Sequence, residues 1–177
     1  MLRFFLYLFF FISLNVFAFA SMNENLVAAA QRGDEAGVRN ALAQGADINY
    51  RDLKHGNTAL IWAVVKFDLN FVRFLVDRGA NINLANKMNA TPFYFAYQEK
   101  KLEILKYLIN KKVITSQITL HHFIFNSMRD NNIEIASLLI RSVKNLQTAK
   151  VDNVFLIDDL LLNSLHFKRT GIAKLLI

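Results

Sequence analysis

At a spacing of 34 residues the chain nearly copies itself: GADINYRDLKHGNTALIWAV at 45–64 is followed by GANINLANKMNATPFYFAY at 79–97. Gly45, Ala46, Ile48 and Asn49 return as Gly79, Ala80, Ile82 and Asn83, while Thr58, Leu60 and Ala63 return as Thr91, Phe93 and Ala96. A period of this size constrains the fold more than any composition does, because each period is one supersecondary unit too small to bury its own apolar face. Stacking like units side by side supplies the missing cover, and the product is a solenoid.

Each unit reads as helix, short turn, helix, polar loop. Asn57 or Thr58 caps one helix start, and Thr91-Pro92 places the chain's single proline where a missing amide hydrogen costs nothing. A second apolar stripe follows, with Val72, Leu75 and Val76 before Gly79, and Ile104, Leu105, Leu108 and Ile109 before Lys112. Gly45 and Gly79 suit the left-handed backbone at a helix C-terminus.

These segments resemble ankyrin repeats. The likeness is carried by DLKHGNTALIWAV with NFVRFLVDRGANIN in 52–83, by NKMNATPFYFAY with KLEILKYLI in 86–109, and by NLVAAAQRGDEAGVRNALAQGADIN from Asn25 to Asn49, a shorter unit beginning at its inner helix. His55 adds one residue to the usual loop, and Phe67 stands where glycine is frequent between the helices, either covering the turn or protruding. Residues 119–140 and 154–177 keep the helix-turn-helix order without the Gly-Ala loop or the Thr-Pro start, with Ser127 at the small position and Asn131 at the turn. They read as degenerate units of a C-terminal cap, or as two extra helices packed on a three-unit stack. The expected fold is therefore an all-α ankyrin solenoid of four to five stacked helix-turn-helix units, at about 23–51, 52–85, 86–115, 116–147 and 152–177. The apolar end at Leu175, Leu176 and Ile177 either folds back on the preceding unit or forms a contact surface.

Residues 1–20, MLRFFLYLFFFISLNVFAFA, read differently from the rest. One charge at Arg3, an apolar run, and Ala18 and Ala20 near its end describe a secretory signal peptide cleaved near Ala20-Ser21, leaving a domain at 21–177. The alternative is an uncleaved anchor touching the membrane through residues 4–20, since that stretch lies at the short edge of a span. The expected location is periplasmic, in a Gram-negative bacterium, or secreted; the alternative is anchored and facing outward. The absence of cysteine suits an exported chain that does not depend on disulfides.

Charge is uneven. Residues 21–85 carry seven basic and seven acidic side chains, whereas 86–177 carry thirteen basic and seven acidic, densest at Lys100, Lys101, Lys106, Lys111 and Lys112. That half is a solvated lysine-rich helix face, or a surface for an acidic protein, lipid headgroups or a cell-wall polyanion. No recognition motif or arginine cluster points to nucleic acid.

Reactive equipment is sparse: there is no cysteine nucleophile, G-x-S-x-G elbow, phosphate-cradling loop or H-E-x-x-H pair. His121 and His122 are neighbours about 100° apart on a helix and read as a polar helix start rather than metal ligands. His166 reads as a core or boundary histidine, and Asp158 and Asp159 as helix-start carboxylates. Neither an enzyme nor a cofactor is expected.

The resemblance implies another protein as partner, met at the loop tips and the exposed face of the inner helices. By matching positions these are Leu53, Lys54 and Asn57, then Lys87, Met88 and Ala90, in the loops; and Gln31 with Arg32, Val65 with Lys66, Gln98 with Glu99, and Arg129 with Asp130 on the helices. Leu53 and Met88 either project or pack on their own loops. Trp62, Tyr94 and Phe95 read as core and inter-repeat packing. The expected function is a non-enzymatic binding module; the alternative is a structural or inhibitory protein.

Overall fold

A computed structural model describes residues 21–111, 117–143, 150–151, 154–168 and 170–176. Residues 1–20, where a leader or anchor is expected, and the terminal Ile177 lie outside these residues, as do the side chains of Leu175 and Leu176. The chain divides into two compact units, 1–99 and 100–177, taken in turn.

In the first unit, helix α1 covers 21–32, α2 Glu35–Ala43, α3 Ala59–Lys66, α4 Leu69–Val76 and α5 Pro92–Gln98. Thr58 and Thr91 each start a helix by accepting a backbone hydrogen bond, from Ile61 N at 3.2 Å and Tyr94 N at 3.3 Å. Asp34 and Asp68 start α2 and α4 in the same manner. Each such cap contributes roughly 1 kcal/mol by satisfying amides that have no helical partner.

The two Gly-Ala sites end α2 and α4 identically. Gly45 N donates to Leu42 O and Ala46 N to Ala41 O, just as Gly79 N donates to Val76 O and Ala80 N to Leu75 O. Both glycines have positive φ, 95° and 90°, which this paired C-terminal closure requires. The polar loop then repeats: Asn49 N bonds Asp47 Oδ1 and Asn83 N bonds Asn81 Oδ1, both at 2.9 Å. Leu60, Ile61, Ala63 and Val64 on α3, and Phe71, Val72 and Leu75 on α4, are buried; Val76 is half-buried. Each large aliphatic so buried contributes about 1.5–3 kcal/mol. The first helices of the second and third repeats, α3 and α5, pack on each other.

Phe67 covers a turn, and the turn it covers belongs to the preceding repeat. Its backbone is extended (φ −121°, ψ −171°), and its ring lies against Gly33 and edge-on to Phe71, with centroids 5.4 Å apart. At the matching positions Gly33, Lys100, Asn131 and Lys168 all have φ between 53° and 73°.

In the second unit, α6 is Leu102–Asn110, α7 Gln117–Arg129, α8 Ile133–Ser142, α9 Leu156–His166 and α10 Thr170–Leu176. A hairpin of two-residue strands, β1 (Lys150–Val151) and β2 (Val154–Phe155), pairs antiparallel just before α9 and is the one strand pairing among the described residues. Packing runs α6 to α8, α7 to α9 and α8 to α10, so like helices stack on like. Asn131 N bonds Met128 O and Asn132 N bonds Ser127 O, reproducing the glycine closure with asparagine, which tolerates the left-handed backbone at φ 58°. Ser127 is buried and its hydroxyl donates to Phe123 O at 2.7 Å.

Histidine behaves differently from the sequence expectation. His121 stands within α7, its Nε2 2.5 Å from Asp159 Oδ2 in the first turn of α9, so it ties two helices together instead of merely opening one. His122 faces Asn126 at 2.8 Å. His166 is exposed, with its ring edge-on to Phe167, and is not a core residue.

Candidate functional site

The loop between α2 and α3 is folded around one carboxylate. Asp52 Oδ1 accepts from His55 N at 2.6 Å and Gly56 N at 3.2 Å, and Oδ2 accepts from Trp62 Nε1 at 3.2 Å. The added residue is thus absorbed: the His55 amide meets Asp52, its carbonyl takes the Lys87 amide at 3.0 Å, and its ring meets Trp62 edge-on at 6.2 Å. With its backbone held, the tip pushes Leu53 outward, 76% exposed. The following tip does the same with Met88, 73% exposed, because Asn86 Oδ1 accepts from both Met88 N and Ala90 N at 3.0 Å. Exposed apolar side chains on tied loops present contact area whose ordering has been completed on folding.

Beside the Leu53 tip lies an open groove of about 350 Å³. Glu24, Val27, Ala28 and Gln31 of α1 form one wall, and Leu53, Lys54 and His55 with Trp62 form the other. Trp62 is half-buried, and Lys66 Nζ lies 5.3 Å from its ring centroid, a cation–π contact. Glu24 Oε1 accepts from Tyr50 Oη at 2.7 Å, and this bond, then burial, then the charges of Glu24 and Asp52 push the phenol up to about 12.

Of the residues expected at the face, Gln31, Arg32, Leu53, Lys54, Lys66, Lys87, Met88, Gln98 and Glu99 are exposed in the first unit, and Val65 is half-buried. Arg129 and Asp130 are exposed in the second unit. Asn57 and Ala90 are buried, 7% and 6% exposed, and are withdrawn from the face. Asn57 Oδ1 accepts from Asn86 Nδ2 at 2.8 Å, so it joins neighbouring loops from within. Trp62 and Tyr94 correct the expectation in the other direction: Trp62 walls the groove and Tyr94 is 39% exposed, while Phe93 takes the buried place. Glu24, Val27 and Ala28 had no signal in the sequence beyond their positions opposite Trp62 once α1 is laid beside α3, and His55 showed only as the residue added to the loop.

A family model for ankyrin repeats, three copies, matches residues 26–122, more than half of the chain. The chain belongs to the ankyrin repeat family. Among curated relatives, alpha-latrotoxin-Lg1a of the spider Latrodectus geometricus is 30% identical over 75% of this chain and 9% of its own length. The ankyrin repeat protein YahD of Escherichia coli is 34% identical over 48% of this chain and 41% of its own, and one from Borreliella burgdorferi is 42% identical over 32% and 13%. The chain thus spans less than half the length of each of these relatives. Ankyrin repeats such as these serve as protein–protein interaction modules, generally without enzymatic activity of their own.

Proposed function

We propose that this ankyrin protein binds a protein partner outside the cytoplasm through the face formed by the C-terminal ends of α1, α3 and α5 and the two loop tips. The observation that carries this reading is the pair Leu53 and Met88, each about three-quarters exposed on a tip whose backbone is tied by an internal acceptor, Asp52 or Asn86. Large apolar side chains held in solvent at repeating positions are suited to be interface anchors, with Gln31, Lys54, Lys66, Lys87 and Gln98 as a polar rim. Export is supported by the sequence of residues 1–20 alone.

The test is an affinity capture from a cell-envelope or secreted extract with the protein as bait, beside a variant carrying Leu53→Asp, Lys66→Glu and Met88→Asp whose helicity matches the parent. A partner held by the parent and released by the variant supports the face; a partner held equally by both removes it. N-terminal sequencing of the exported chain decides between a mature start at Ser21 and a retained anchor.

A further inference from the structure

We infer that the partner presents an acidic segment carrying a bulky apolar side chain, and that this side chain enters the groove between α1 and Trp62. The inference rests on the binding reading above and adds the chemistry of what is bound.

The groove has room for a bulky side chain and part of the segment that carries it: about 350 Å³ lies at the low end of the roughly 300–1,000 Å³ range of ligand pockets. Its apolar walls offer Ala28 and the half-buried indole of Trp62, with Leu53 rising at the rim. An occupant that covers them removes apolar area from water, which a polar side chain would not match.

The charges around the groove favour one sign. Lys54 lines it, Lys66 lies over Trp62, Arg32 follows Gln31 at the end of α1, and none of these cations has a carboxylate partner among the described residues. The nearby carboxylates are already engaged: Asp52 accepts from two loop amides and from the Trp62 indole, and Glu24 accepts from Tyr50. An incoming basic group would meet three cations against two carboxylates, of which Asp52 already accepts three bonds and Glu24 one. An incoming carboxylate would find ammonium and guanidinium donors to pair with. The third repeat's Lys87 gives its ammonium to Leu53 O, which steadies the rim, and Glu99 is the remaining acidic group on the face.

Trp62 is the chain's single tryptophan, so its emission reports on this groove and nothing else. The experiment is selection of a random dodecapeptide phage library on the full-length protein, followed by titration of tryptophan-free synthetic versions of the enriched sequences. Enrichment of peptides with surplus Asp and Glu around a Leu or Phe is expected, with saturable change in Trp62 emission. Lys54→Glu combined with Lys66→Glu should weaken them about tenfold, from two exposed charge pairs reversed. Neutral or basic enriched peptides would overturn the acidic chemistry; if Leu53→Asp abolishes their binding, the face itself stands. Enriched peptides indifferent to Leu53→Asp, or no enrichment, would overturn both.

Discussion

Phe67 of the second repeat closes over Gly33 of the first: a Cβ built on Gly33 would stand 2.3 Å from Phe67 Cε1. The aromatic ring occupies space that a side chain at Gly33 would need, and Gly33 also holds φ at 73°. The two positions are equivalent in their repeats, yet one is left-handed and empty while its successor is extended and fills the vacancy.

Gly33→Ala should therefore destabilise the protein by about 2–3 kcal/mol, from overpacking and a left-handed backbone together. Urea denaturation of Gly33→Ala, Phe67→Ala and the double variant tests the coupling. The double variant should lose clearly less than the sum of the singles, because the second change removes the clash that the first creates.

Asn86 and Asn57 form a buried pair in which Asn86 also receives two loop amides. Asn86→Ala should cost about 2–3 kcal/mol and Asn57→Ala about 1 kcal/mol, because the first strands more buried groups. Thermal unfolding measures both, and Asn57→Ala should leave partner affinity unchanged at concentrations where the protein is folded.

Tyr50 sets an alkaline limit. Its phenol titrates near 10 when unfolded and is pushed up to about 12 by the Glu24 bond, so the folded state holds this proton more tightly. The stabilisation is complete below pH about 10 and disappears as pH rises through about 12, where the folded phenol also ionises. Glu24→Gln should bring the tyrosinate absorbance step back toward pH about 10 and remove this share of the alkaline stability loss.

Lys101 precedes α6 with φ −82° and ψ 80° but supplies no side-chain cap, whereas Asp34 and Asp68 cap the matching helices. Lys101→Asp should raise stability by about 0.5–1 kcal/mol in denaturant titrations. A loss would show that the lysine's own contacts outweigh the cap.

The helices, their caps and the two Gly-Ala closures were legible because each depends on residues within one turn of chain. Thr58, Thr91, Gly45 and Gly79 act on their immediate neighbours, and Asn131 does glycine's work through a local tolerance that sequence also displays. What crossed between repeats was not legible. Asn57 carries the polarity of a loop residue but turns inward because Asn86, 29 residues on, offers an amide. Ala90 is buried beside the same pair. Phe67 could face either way until Gly33 supplied the space, and His121 needed Asp159, 38 residues away, to show its role. The candidate groove escaped for the same reason, since its walls come from α1 and from a loop and helix of the next repeat.

His55 gives this array a history written in its joints. The residue that lengthens the second loop does not hang from it: its carbonyl receives the Lys87 amide of the third repeat, whose ammonium in turn holds the Leu53 carbonyl. An insertion in one unit has thereby become a fitting for its neighbour. A repeat with the shorter loop in place of the second would lack the His55 carbonyl that meets Lys87, so at this joint the second and third repeats are fitted to each other as a pair.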